Sequence, residues 1–109
     1  WAWLADVPLL VGLAYKVHHD HPNVPEIEQA LSMGAGVMNF QNAIHAMGFA
    51  SYWSTGLASQ TEEMAEFLGF DSLDSQFVGF LAVGTPKAAV QPADRPDAWS
   101  IARRFGVKA

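Results

Sequence analysis

Residues 25–56 read PEIEQALSMGAGVMNFQNAIHAMGFASYWSTG, and residues 77–86 read FVGFLAVGTP. The first stretch decides the fold. Pro25 suits the first turn of a helix, where its missing N–H would have no partner anyway. Glu26 and Glu28 complement the positive N-terminal end that follows. Ile27, Ala30, Leu31, Gly34, Val37, Met38, Ala43, Ile44 and Met47 recur at helical spacing and give a broad apolar face. Gly34, Ala35 and Gly36 cost helix propensity, and their small size suits close approach of a second backbone. Gly48 is a natural C-cap. The spacing therefore predicts a helix over residues 25–47, about two dozen residues long and the spine of the domain. Residues 49–53 read as a short extended segment, and Ser54-Thr55-Gly56 as turn chemistry. The main chain of residues 53–55 is thus expected to turn tightly after the helix and point its N–H groups into a cleft.

Working outward, residues 7–17 (VPLLVGLAYKV) are almost continuously apolar and predict a buried central strand. HHDHPNVP follows as a polar loop. Downstream, Ser59 and Glu62 form a capping-box pattern, opening a helix that Gly69 should end. Residues 77–83 read as a second apolar strand, stopped by Gly84-Thr85-Pro86. Residues 86–109 carry prolines at 86, 92 and 96 and read as an extended C-terminal arm, with a short amphipathic turn around residues 99–105.

The chain of 109 residues is long enough for one domain of modest core, and its 50% apolar content favours a folded chain. Cysteine is absent from the sequence. That excludes a disulfide framework, a thiolate metal site and a cysteine nucleophile, and it fits a reducing compartment. The formal charge of −5 argues against a nucleic-acid partner. Lys16 stands alone, whereas Lys87, Arg95, Arg103, Arg104 and Lys108 lie in the tail, which reads as solvated or as docking on an acidic surface. No apolar run predicts a membrane span; residues 4–17 are too few and include Asp6 and Lys16. The same stretch lacks the basic start and small-residue cleavage site of a signal peptide. A first residue of Trp1 rather than Met suggests a fragment or a processed product.

Four constellations invite a chemical reading. The Ser-Thr-Gly corner offers backbone N–H groups with little steric cover. His18, His19, Asp20 and His21 are competent metal ligands by type. However, three histidines in four positions need a fourth partner from elsewhere to converge on one ion, and the expectation is a polar loop. His45 has Gln41, Asn42, Gly48 and Phe49 at i±3 and i±4, no carboxylate among them, and is expected to be partly buried and hydrogen-bonded to a neighbouring helix. Among Phe40, Phe49, Tyr52, Trp53, Phe77 and Phe80, core packing is expected for most, and only Trp53 is expected near a ligand. Nucleophile elbow, P-loop and GxGxxG patterns are absent.

The order of these features, a small-residue helix ending at Gly48, a Trp-Ser-Thr-Gly corner, an acidic segment and FVGFLAVGTP, resembles the C-terminal half of the FMN-dependent nitroreductase family. The likeness is greatest to its small, minimal members. The resemblance implies an α+β fold, a mixed sheet flanked by helices, here as a single partial domain over residues 1–109. It implies FMN as cofactor and NADH or NADPH as co-substrate, reducing nitroaromatic, quinone or similar small-molecule acceptors by a ping-pong mechanism. Carried over position by position, Trp53, Ser54 and Thr55 contact the flavin through their main chain. Ala43, Ile44, His45, Ala46, Met47 and Gly48 correspond to the nicotinamide-nucleotide region. Minimal members often have a basic residue where this chain has Ser54. The resemblance implies no catalytic side chain and no metal. The family's phosphate-binding elements belong to the N-terminal half. Members are cytoplasmic, intertwined homodimers with the flavin at the interface, and the C-terminal arm often crosses to the partner. Alternatives within the same fold are a flavin-dependent dehalogenase or flavin-destroying oxygenase, and a non-catalytic truncated flavoprotein or dimerisation fragment.

Overall fold

The computed structural model describes residues 2–56 and 61–106. Leu9–Lys16 forms strand β1, Glu26–Ala46 helix α1, Ala50–Ser54 strand β2, Glu62–Phe67 helix α2 and Ser75–Gly84 strand β3. Short 3-10 helices lie at Ala2–Asp6 and Ala98–Ser100.

Helix α1 is the predicted spine, 21 residues long. Pro25 sits at its N-cap, and the Pro25 carbonyl accepts from the Glu28 and Gln29 N–H groups at 3.0 and 3.2 Å. The helix stops where the sequence put the stop. Gly48 adopts φ +88°, a left-handed conformation that is costly for residues with a Cβ. Its N–H donates to the His45 carbonyl at 3.0 Å, and the Phe49 N–H donates to the Ile44 carbonyl at 3.1 Å. These two bonds make a Schellman motif, which satisfies the last carbonyls and turns the chain straight into β2. Helix α2 ends in the same way at Gly69. Its start differs from the expectation: the N-cap is Thr61, whose Oγ1 accepts from the Met64 N–H at 3.2 Å, placing Glu62 and Glu63 in the first turn. Ser59 lies outside the described residues.

The three strands form one sheet in the order β1-β3-β2, and both pairs are antiparallel. β3 is therefore the central strand and β1 an edge strand among the described residues, which corrects the central position expected for residues 7–17. Exposure follows that order: Leu81 of β3 is fully buried, whereas Leu9 of β1 is 53% exposed. Helix α1 covers one face of the sheet. There Val37 and Ile44 pack with Leu13 and Leu81, and Met33, Val11, Trp53, Val78 and Val83 close around them. The opposite face carries the end of α2. A Cβ on Gly12 would meet Leu68 at 3.2 Å and Phe77 at 3.5 Å, and Phe77 meets Phe70 at a tilt and Phe80 edge-on, with centroids 6.4 and 5.1 Å away.

Only part of α1 is covered. Ile27, Leu31, Met38 and Met47 are exposed, and among the described residues no heavy atom beyond the helix's own backbone stands within 4 Å of a Cβ placed on Gly34 or Gly36. After Gly84 every described residue is exposed. The arm's one regular turn is capped by Asp97, whose carboxylate accepts from the Trp99 N–H at 3.2 Å, and Arg104 lies over the Trp99 ring at 4.8 Å. The radius of gyration is 17.9 Å, against about 13 Å for a compact chain of this length. Among the described residues no helix is long and apolar enough to cross a membrane.

Candidate functional site

The corner after α1 is built differently from the sequence expectation. Trp53 and Ser54 are not a tight turn; they are the last two residues of β2, paired with Leu81 and Phe80 of β3. The ladder wins because the Schellman stop delivers an already extended chain alongside β3, and tertiary pairing outweighs local turn preference. Thr55 and Gly56 are the first residues beyond the ladder. β2 nevertheless lies at the edge of the three-stranded sheet. An edge strand in an antiparallel pair directs alternate N–H and C=O groups away from its partner. Outward main-chain groups are thus a property of the strand edge rather than of a turn.

The Trp53 side chain is half-buried and structural. Its indole Nε1–H donates to the Val78 carbonyl at 2.9 Å, and its ring packs against the α1 core. Any contact Trp53 makes with a ligand therefore falls to its main chain and the free part of its ring. Ser54 is half-buried, and Thr55 is exposed.

The second predicted group lies on the last turn of α1 and the cap. Ile44 is buried in the core, so its side chain serves the fold. Ala43, His45, Ala46, Met47 and Gly48 are exposed. His45 is therefore not the partly buried, helix-bonded side chain expected from its neighbours: α1 turns it to the outer surface. Met47, Phe49, Phe40, Leu9 and Thr85 line an apolar hollow of about 530 Å³. The two predicted groups sit at opposite ends of β2, whose five residues hold them roughly 13 Å apart. They share one strand edge and not one hollow.

The histidine loop is a hydrogen-bonded clasp. Gln29 of α1 accepts from the His18 N–H at 2.9 Å and donates to the His18 and Val24 carbonyls, both at 3.0 Å. His21 Nδ1 accepts from the Asn23 and Val24 N–H groups. His19 Nδ1 lies 2.5 Å from the Glu26 carboxylate, which together with the Leu73 carbonyl raises its pKa above the ordinary 6.5. Gln29 and Leu73 were not readable as partners beforehand, because the contacts cross 11 and 54 residues of chain. Among the described residues no group of His, Asp and Glu is arranged to hold a metal ion.

Residues 1–85 match the model of the nitroreductase family, well over half of the chain. The chain belongs to the nitroreductase family. YdjA of Escherichia coli strain K12, provisionally named an NAD(P)H nitroreductase, is 36% identical over 80 residues, which are 73% of this chain and 43% of YdjA. The YdjA of E. coli O157:H7 matches to the same extent. The crystal structure of a nitroreductase-like family protein from Bacillus cereus aligns with a TM-score of 0.78 at 17% identity, over 96% of this chain and 57% of that one. The fold is accordingly the α+β nitroreductase fold, and the chain spans less than half the length of the curated relatives it matches. The family match ends at residue 85, where the exposed arm begins.

Proposed function

We propose that this chain forms the C-terminal half of a flavin site that uses NADH or NADPH to reduce a nitroaromatic, quinone or similar acceptor. The observation that carries the reading is the family match over residues 1–85, joined to the place of β2 at an edge of the described sheet. FMN, when bound, supplies the hydride chemistry. The donor set suits the isoalloxazine part of that cofactor: the edge of β2 and the residues after it offer main-chain groups, with Trp53, Ser54 and Thr55 in the family's contact positions. It suits the phosphate poorly, because Lys16 is the sole Lys or Arg before residue 87. The phosphate contacts are assigned to residues outside this chain.

The chain's own residues then have limited tasks. The main chain of Trp53, Ser54 and Thr55 orients the ring edge. The exposed residues of the last turn of α1 and its cap, Ala43 and residues 45–48, face the nicotinamide nucleotide, with Ile44 beneath them in the core. The reaction is ping-pong: the nicotinamide leaves before the acceptor takes the same place. The flavin lies at the interface of a homodimer, a reading supported by the uncovered apolar face of α1.

The test uses the protein reconstituted with a YdjA-like N-terminal half. A yellow protein whose flavin absorbance bleaches anaerobically with NADPH or NADH, and returns on adding a nitroaromatic, is expected. A colourless protein that takes up no FMN from solution would end the reading.

A further inference from the structure

β3 does not run straight past the end of β2. Opposite Leu13 and Ala14 its register slips: Leu13 faces Gly79 and Ala14 faces Phe77. Val78 is left as the extra residue of a bulge. Gly79 follows with φ +121°, a conformation that L side chains rarely adopt. The bulge engages the end of β2 twice. The Val78 carbonyl accepts the Trp53 indole Nε1–H at 2.9 Å. The space where a Cβ of residue 79 would stand is taken by that same strand end. Such a Cβ would lie 2.5 Å from the Ser54 carbonyl oxygen, 2.9 Å from Thr55 Cγ2 and 3.0 Å from Trp53 Nε1.

We propose that the Val78-Gly79 bulge and the Trp53 indole form a lock that sets the direction in which Thr55 and Gly56 leave the sheet after Ser54, and with it the fit of a flat flavin ring against the main chain there. Gly79 and Trp53 are positioning residues in this role. The indole bond holds the strand end down on β3, and the missing Cβ lets the Ser54 carbonyl come closer than any other residue at position 79 would allow. An alanine there would push that carbonyl away by about 0.9 Å to reach an ordinary 3.4 Å contact. Misplacement on the order of an ångström at a positioning group costs about a hundredfold in rate, so the corner is sensitive on the scale of this displacement. The lock stands on the geometry alone; its use for a flavin rests on the function proposed above.

Gly79→Ala and Trp53→Phe are compared with the wild-type chain by two readouts. The first is the backbone order parameter of Thr55 and Gly56 from 15N relaxation, with Gly48 and Phe49 at the α1 stop as internal controls. The second is titration with lumiflavin, a flavin ring without phosphate, followed by quenching of its fluorescence. Both variants are expected to lower the order parameters of residues 55 and 56 from about 0.85 to below about 0.6 while leaving the α1 stop unchanged. They are expected to weaken lumiflavin binding about tenfold as well. Unchanged order parameters at the corner in Trp53→Phe, which removes the indole N–H together with the five-membered ring that carries it, overturn the lock even if Gly79→Ala does not fold. Lowered order parameters with lumiflavin affinity equal to wild type overturn the positioning role and leave the lock as a structural feature. A wild-type chain that takes up no lumiflavin counts against the flavin reading, and the relaxation readout then decides the lock by itself.

Discussion

At His19, charge and fold meet in one side chain. An imidazolium donates from Nδ1 to the Glu26 carboxylate and from Nε2 to the Leu73 carbonyl, linking the loop after β1 to the first turn of α1 and to the turn before β3. The Glu26 hydrogen bond is the largest cause of its raised pKa, followed by the Leu73 carbonyl. Because the folded value lies above the unfolded one, the contribution to stability is complete below about pH 6.5 and is lost as pH rises through the raised value. The pair is exposed, so the amount at stake is small. NMR titration of the imidazole should give a midpoint above 6.5, and Glu26→Gln should bring it back down. A wild-type midpoint at 6.5 or lower would mean that the pair is open in solution. At the corner the expectation separates side chain from main chain. Ser54→Ala should leave flavin affinity nearly unchanged, since the proposed contact is through the backbone. Thr55→Pro should abolish it, since proline removes an N–H. Equal loss from both would transfer the contact to side chains.

Among the elements, α1 and β3 supply three of the four residues of the core cluster, Val37, Ile44 and Leu81. Leu81→Ala empties the most buried site in the sheet, at the centre of the α1 face, and should cost about 2–5 kcal/mol in urea unfolding. Gly48→Ala should cost about 1 kcal/mol, because the Schellman stop requires a positive φ. A cost near zero would show that the stop is remade another way. The helix was legible from the sequence because its apolar spacing, Pro25 and Gly48 agree with one another. Gly69 marked the end of α2 for the same reason. The rank of β1 was not legible: an unbroken apolar run such as VPLLVGLAYKV reports burial on two faces of a complete sheet but not which strand stands in the middle. The turn at Ser54 was misread because Ser, Thr and Gly signal local preference, whereas pairing with Phe80 is set by a segment 26 residues away. The signal for the bulge was present in FVGFLAVG, where an isolated glycine inside a strand marks a bulge or a close backbone approach. As for the candidate site, the sequence pointed to the end of β2 but could not show that the Trp53 indole is already bonded to Val78.

For the whole molecule, the exposed face of α1 and the exposed arm lead to a prediction about assembly. Ile27 and Leu31, each 66% exposed, with Met38 and Met47, leave more apolar surface open than a lone domain usually tolerates. The basic arm and the acidic body are complementary in charge. We predict an obligate homodimer burying more than about 2,000 Å² in total, with α1 near its symmetry mate and the arm after Pro86 crossing over. Light scattering at micromolar concentration should return twice the chain mass, and Leu31→Glu should halve it; a stable wild-type monomer would refute the assembly. Residues 1–109 alone should not bind FMN tightly, as only Lys16 is available for the phosphate before the arm, and submicromolar binding by fluorescence titration would show otherwise. The strand order has one more consequence, in time rather than space. β3 is the neighbour of both other strands and is the last of the three to be made, so Leu9 waits for Val83 before it can pair. At about 5–20 residues per second of synthesis, that interval lasts roughly 4–15 s. For the last part of it, about 1.5–6 s from Ser54 to Val83, the nascent chain holds a finished α1 segment beside two unpaired strands, which is the kind of surface that chaperones at the ribosome exit cover.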